Sequence, residues 1–503
     1  MNLPHPTRRQ FLRLGARLAT AATVGASFSG CQIFQTANSR RIPDFNVLDF
    51  GAVGDGVRVD TRAIQHAIDA ASVDEAPARV VVPGGRRYLT GGLKLHDRIE
   101  FHLADDAELL ANPDLADYSS ALSVLSATDA TGVRISGTGS INGQWKKFTT
   151  NYDATNEWWR LAMRRPRLCL FTSCEGLEVS GVTLFDSSNW TLHLLGCDNA
   201  LVEKVTIRNP LDVPNCDGID LDHCRDVEVR RCDIICGDDA IVVKTSRQTS
   251  NYGPCANIHV HDCAMTTQDS GLKIGTETTQ DIHDIIFEDC DIRSSCRGLC
   301  IQLRDTGNVS KVRFGDINFL SRYHSDPWWG RGEAISFTAL PRNPQTTCGT
   351  ISDIRVENVM GRAENSIRLQ GTPGNPIRNV TFANVDVTLD RWTKYPGGIF
   401  DNRPTTALTT LENHTTPGIN LRYADAIALD HCRIAWGKNI PDYFTNAIEA
   451  ENTTNLSLNQ FSGEAAHPGR NAARKIIAPT NPNGIASLSP GLRGTSYPGL
   501  ATK

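Results

Sequence analysis

Three carboxylates between Pro214 and Lys244 stand at two junctions of one kind. Asp217 sits in a small-residue turn, "NCDG", and Asp238 and Asp239 sit in another, "GDDA". Each turn runs into a short apolar strand. Cleavage of a glycosidic bond by acid and base needs carboxyl groups that differ in protonation: one protonates the leaving oxygen, another takes a proton from water. A lone Asp in a Gly-rich turn most often bonds its own backbone. Three that converge on one outward face repel one another and raise at least one pKa, which points to chemistry.

Convergence depends on the elements that carry the turns. Alternating apolar segments recur along the chain: "GVRISG" at Gly132, "GLEVSG" at Gly176, "DVEVRR" at Asp226, "NIHVHD" at Asn257, "DIIFED" at Asp284, "DIRVEN" at Asp353 and "NLSLNQ" at Asn455. Most intervals run from 24 to 31 residues, with longer ones after Gly132, Lys311 and Asn379 that hold insertions. Period-2 alternation at this interval, with no helical pattern between, predicts an all-β fold: a single-stranded right-handed parallel β-helix over 45–462. "DTRAIQHAIDAA" predicts a short N-terminal capping helix. Asp60 is its expected cap, and Ala63, Ile64, Ala67, Ile68 and Ala71 form its apolar face. Residues 463–503 read as an irregular tail.

A second recurring strand aligns the coils. "TLHLLG" (Thr191), "GIDLDH" (Gly218), "AIVVKT" (Ala240), "GLKIGT" (Gly271) and "GLCIQL" (Gly298) share apolar second and fourth positions, which must face inward. The third positions then form an outward column: His193, Asp220, Val242, Lys273, Cys300, Ser336, Arg368 and Asn420. The residues just before the strands form another: Trp190, Asp217, Asp239, Ser270, Arg297, Glu333, Asn365 and Pro417. Neighbouring coils lie about 4.8 Å apart. Asp217 and Asp239 are therefore neighbours, with Asp238 beside them.

At these residues the chain resembles glycoside hydrolase family 28, the polygalacturonase-like enzymes, as a divergent bacterial member. The similarity runs from about Phe45 to at least Asp305. "FNVLDFGAVGDGVRVDTRAIQHAID" resembles the family's opening segment, "NCDG" its Asn-x-Asp motif and "GDDA" its Asp-Asp motif. The resemblance implies that Asp238 is the general acid and that Asp217 and Asp239 hold and activate water. It also implies an inverting single displacement with carboxyl groups about 6.5–9.5 Å apart. Two motifs depart from the pattern. Ser270, in "DSG", stands where the family has a His, and Cys300 and Gln302, in "CIQ", stand where it has Arg and Lys. Those cations grip the galacturonate carboxylate in the family, so their absence counts against plain polygalacturonan; the expected substrate is a pectin-like polysaccharide or oligosaccharide: galacturonan, rhamnogalacturonan or a related acidic chain.

Charge has other places to go. Lys273 and Arg304 are candidate substrate contacts, together with Gln302 and Ser270; alternatively Lys273 pairs with Asp220 or Glu277 on the surface. Trp328 and Trp329, in "RYHSDPWWGRGE", offer one ring to anchor the loop and one to stack on sugar. Arg331 lies beside them, His193 and Trp190 at the other end. "RWTKYPGG" and Arg403, in the third insertion, are placed to close the groove.

The rest of the chain bounds the reading. A net charge of −5 over 503 residues gives no basic surface for nucleic acid. "TRRQFL" followed by an apolar run and "FSGC" reads as a twin-arginine, lipoprotein-type signal over 1–31, then a linker over 32–44. Cys31 would be the lipidated N-terminus of an exported, periplasmic or cell-surface protein whose membrane contact is only that anchor. There are 15 Cys. The recurring setting of Cys232, Cys263, Cys290 and Cys432 predicts buried free thiols rather than a disulfide framework. No metal cluster or cofactor is expected, and the chain reads as a monomer. Two alternatives share the fold: a polysaccharide lyase, and a surface glycan-binding protein without catalysis.

Overall fold

A short strand with one apolar face needs a partner to cover it, and here each strand is covered by the next repeat. The computed structural model describes residues 42–74 and 76–477. The signal segment with Cys31, most of the linker and the chain from 478 lie outside the described residues.

Glu178–Ser180, Thr183–Phe185 and Leu192–Leu195 make one coil. Asp198–Glu203, Thr206–Arg208 and Ile219–Asp222 make the next. Each strand pairs in parallel with its counterpart one coil on. Repetition of this step joins 35 strands into one continuous right-handed parallel β-helix. The corners need a sharp turn of the backbone. Asn199, Asp226, Asn257 and Asp284 make it in the left-handed conformation, with φ of 52°, 53°, 55° and 57°. Asn and Asp tolerate that region best after glycine, which is why they recur at the start of these segments. They also bond up the stack: Asn257 Nδ2 donates to Asp226 Oδ1 at 3.0 Å.

The inward positions form one core. Leu192, Leu194, Ile219, Leu221, Ile241, Val243, Leu272, Ile274, Leu299 and Ile301 are all buried in it. Phe287, Phe314 and Phe337 stack along it, with ring centroids 5.1 and 5.6 Å apart. Cys232, Cys263, Cys290 and Cys432 are buried free thiols, as are most of the other described cysteines.

Helix Thr61–Ala71 closes the N-terminal end with Ile64, Ala67, Ile68 and Ala71 buried and Ala63 packed beside them. Asp60 does not cap it through its side chain. Its carboxylate instead accepts from the backbone N–H of Val53 (2.8 Å) and Gly54 (2.9 Å), tying down the preceding loop. At the far end the ladder passes residue 462. Arg474–Ile477 pairs in parallel with Ile448–Asn459, yet all four of its residues are exposed. A strand with no buried face leaves no apolar alternation to read.

The three long intervals are insertions, and they meet. The first contains the hairpin Thr149–Asp153 with Trp158–Leu161, and the third the hairpin Ile399–Asp401 with Leu411–Asn413. Ser325, in the second insertion, donates to Asn156 O at 2.7 Å. Tyr395, in the third, donates to Glu157 Oε2 at 2.6 Å, and Arg403 reaches Trp328 O at 2.6 Å.

Candidate active site

The outward column holds the expected register without a slip: His193 pairs with Asp220, Asp220 with Val242, Val242 with Lys273, and Lys273 with Cys300. The turns before the strands stack in the same way. Gly218 N donates to Asp239 O (2.9 Å), and Ala240 N to Ser270 O (2.9 Å). Gly218 is required beside Asp217, because a Cβ there would lie 2.3 Å from the carbonyl oxygen of Ala240 on the next coil.

This geometry brings Asp217, Asp238 and Asp239 together. One oxygen of each lies within 4.8 Å of the other two. They line a cavity of about 290 Å³ together with Asp269, Lys244, Lys273, Glu277 and four tryptophans: Trp158, Trp190, Trp328 and Trp329. The separation is shorter than the expected 6.5–9.5 Å. The acids do not face one another across a cleft; they stand on adjacent rungs of one wall, so the rung spacing sets their distance. Asp217 and Asp239 are buried and Asp238 is half-buried, with Trp158, Trp328 and Trp329 of the insertions lining the same cavity.

Crowding shows in the electrostatics. Burial, then the neighbouring Asp238, push Asp217 well above the ordinary carboxylate range. Burial and Asp239 push Asp238 up to about 6. Burial and Asp239 push Asp269 up to about 7. Asp238 accepts from the N–H of Asn215 (2.9 Å) and of Asp239 (3.0 Å). Asp217 Oδ1 is buried with no hydrogen-bond partner among the described residues.

The cations interleave with the acids. Lys244 Nζ lies 2.8 Å from Asp220 Oδ1, one rung away, and 4.0 Å above the Trp190 ring. Lys273 Nζ lies 2.5 Å from Asp239 Oδ2. Arg297 NH1 lies 3.3 Å from Asp269 Oδ1, and NH2 lies 3.1 Å from Asp401 Oδ2. Burial opposes the charge on Lys273, but Asp239 and Asp269 outweigh it and hold its pKa above the ordinary value.

The expected site residues divide. Lys273, Trp328 and Trp329 line the cavity, and Lys273 pairs with Asp239 rather than with Asp220 or Glu277. Trp328 is buried edge-on against Trp158 at 5.5 Å, and Trp329 is partly exposed. The other five do not line it. Arg304 is fully buried, donating to Leu303 O, to Thr338 O and Oγ1, and to Asn402 O. It lies past the end of strand Arg297–Leu303, where alternation no longer dictates direction. Gln302 donates to Arg403 O of the covering insertion. Ser270 is buried, with its hydroxyl on Asp269 Oδ1 at 3.0 Å. His193 lies edge-on to Trp190 and contacts Asp222 at 3.4 Å. Arg331 stacks on Tyr323 and holds the loop carbonyls of Trp328 and Gly330.

Among the charged and aromatic cavity residues, Lys244, Asp269 and Trp158 escaped the sequence reading. Lys244 is two positions past the outward column, so extending the alternation would have found it. Asp269 is the counterpart of Asp238 one coil later, and aligning one residue further upstream would have shown it. Trp158 carries no such signal, because its contacts are made between insertions.

Comparisons with known proteins agree with this scaffold. A family model described as "Glycosyl hydrolases family 28" matches residues 73–395. A "Probable polygalacturonase" of Vitis vinifera is 27% identical over 387 residues, covering 70% of this chain and 76% of its own. An "Exopolygalacturonase" of Zea mays is 25% identical over 398 residues, covering 74% and 88%. Among solved structures, a hyperthermoactive exopolygalacturonase from Thermotoga maritima matches with a TM-score of 0.59 at 19% identity, over 78% of this chain and 93% of its own. A family 28 exopolygalacturonase of Yersinia enterocolitica gives 0.57 at 17% identity, over 87% and 78%. At such identities the structural likeness establishes the fold.

Proposed function

The chain belongs to family 28 of the glycosyl hydrolases, and from that premise we propose that it cleaves a pectic polysaccharide by direct displacement at the Asp217–Asp238–Asp239 cluster. It is a pectin-degrading glycoside hydrolase. The observation that carries the residue assignment is the triangle of acid oxygens on adjacent rungs beneath a tryptophan-walled cavity.

Asp238 is the general acid. With its pKa pushed up to about 6 it holds a proton in mildly acidic solution and gives it to the leaving oxygen. Asp217 and Asp239 hold the attacking water. A point central to oxygens no more than 4.8 Å apart lies at most about 2.8 Å from each, within hydrogen-bond reach. In-line attack places water and leaving oxygen roughly 4–5 Å apart, a near-attack contact of about 3 Å plus one C–O bond. One wall can therefore serve both groups if the glycosidic bond runs along it. Water adds its hydroxyl to the anomeric carbon, its proton passes to the acids, and the leaving oxygen takes the proton of Asp238.

Incubation with pectin tests this. New reducing ends without ultraviolet absorbance from an unsaturated product are expected, and the first anomer seen by proton NMR should be inverted. An unsaturated product would mark a lyase instead. A retained anomer would turn the close spacing into evidence for a covalent intermediate.

The same reading places the mature enzyme outside the cytoplasm, as a monomer anchored through Cys31. It rests on the twin arginine, the "FSGC" sequence and unpaired thiols suited to folding before export. Mass spectrometry of the mature N-terminus tests it: a diacylglyceryl group on Cys31 supports the anchor, and a signal cleaved beyond Cys31 removes it.

A further inference from the structure

Resting on that hydrolytic reading, we propose that the sugar whose anomeric carbon is attacked is neutral, a glycosyl residue that carries no carboxylate. It must lie against all three acids, so the cavity they line is its seat.

Acidic groups outnumber basic ones in that cavity. Asp217, Asp238, Asp239, Asp269 and Glu277 line it, against Lys244 and Lys273 alone. Both lysines are engaged: Lys244 with Asp220 at 2.8 Å and Glu277 at 3.9 Å, Lys273 with Asp239 at 2.5 Å. Asp220 is fully buried and Asp239 nearly so. Recruiting either lysine to a substrate carboxylate would strip a buried acid of its counter-ion, which is strongly unfavourable.

The nearby arginines cannot take the lysines' place. Arg297 is fully buried between Asp269, Glu333 and Asp401. Arg304 is enclosed by carbonyl oxygens, and Arg403 is spent on Asp401 and on the carbonyls of Asp326, Pro327 and Trp328. None of the three lines the cavity. Arg165 donates to Ser188 O, Ala162 O and Asn215 Oδ1, and Arg167 stacks 4.9 Å from the Trp190 ring; neither lines the cavity. A uronate would thus place its charge among carboxyl groups with no cavity-lining cation free to receive it. What the cavity does offer is flat apolar surface: four tryptophans with Pro214 and Pro327. Such surfaces pack against the C–H face of a pyranose ring and ask for no charge.

The new reducing end reports the identity of this sugar. Pectin is digested with the enzyme, the new ends are reduced with borodeuteride, and the products are hydrolysed completely and separated by mass spectrometry. A neutral residue yields a deuterated neutral alditol; a uronic acid yields a deuterated aldonate. Label mainly in neutral alditols is expected, in about tenfold excess if the preference amounts to ~1.4 kcal/mol. Half or more of the label in aldonates overturns the inference and leaves the hydrolase reading standing. No new reducing ends from any pectic fraction, with the protein folded, overturns the hydrolase reading and the inference with it.

Discussion

Asp238→Asn removes a proton donor and a negative charge at once, and different assays read the two losses. A positioned general acid contributes about 10²–10⁴ in rate, so kcat should fall by that factor with KM within a few-fold. The stability effect depends on pH. The native carboxyl titrates near 6 because burial and Asp239 push it up, whereas the unfolded chain releases this proton near 4. Between these values the native state binds more protons than the unfolded state, so wild-type stability falls as pH rises, by up to about 3 kcal/mol. Asparagine escapes that fall. It bears a constant cost instead: the two oxygens accept from Asn215 N and Asp239 N, and an amide has one carbonyl oxygen, so about 1–2 kcal/mol is lost at every pH. The variant should melt below wild type at pH 4 and above it at pH 7. For a chain of this size the unfolding entropy is roughly 0.9 kcal/mol per kelvin, so the Tm gap should swing by about 3 °C. Scanning fluorimetry across pH 4–7.5 and a reducing-end assay measure both effects. A Tm gap that stays flat with pH would refute the crowding argument, and activity within tenfold of wild type would refute the acid assignment.

Lys273→Met leaves the buried Asp239 without its 2.5 Å partner, and about 3–5 kcal/mol of stability should go. Lys273 also lowers the pKa of Asp238, so the alkaline limb of kcat/KM should move upward in surviving enzyme; an unmoved limb would contradict the coupling. Trp329→Ala removes a partly exposed cavity wall and should raise KM roughly tenfold, from ~1.4 kcal/mol of lost ring contact, with kcat little changed; an unchanged KM would make the ring a mere cover. All fourteen described cysteines are free, and only Cys348 is less than buried. A thiol reagent should therefore modify at most one of them in native protein and all of them in denaturant, and a lower denatured count would reveal disulfides.

The repeat was readable because it is one-dimensional. Once "GIDLDH", "AIVVKT" and "GLKIGT" were aligned, the register from His193 to Cys300 followed, and with it the meeting of Asp217 and Asp239. Period-2 alternation says which way a side chain leaves the wall. It does not say what lies above. Cover by the insertions depends on contacts such as Trp158 with Trp328, 170 residues apart in sequence, which no repeat encodes. That cover is why Arg331 serves the loop and why Gln302 bonds Arg403 instead of reaching the cavity. Arg304 was misjudged for a different reason: the strand ends at Leu303, and the pattern ends with it.

The pairing of charges along the wall separates the acids that have a cation beside them from those that do not. Asp220 is matched by Lys244 on the next rung, Asp239 by Lys273 on the next, and Asp269 by Arg297 on the next. This diagonal holds most of the buried charge in fixed pairs. Asp217 and Asp238 have no cation in it. Among the described residues Asp238 accepts from only two backbone N–H groups, and Asp217 Oδ1 has no hydrogen-bond partner. An acid crowded by its neighbours and left uncompensated gains from holding a proton, the form a general acid needs. The rung spacing that forces these carboxyls together thus also raises their proton affinity, and the diagonal of ion pairs leaves Asp217 and Asp238 as the members of the cluster without a paired cation. Supplying the missing cation there, by a lysine at the exposed Asn215, should lower the affinity of Asp238 for its proton and cost activity at pH 6.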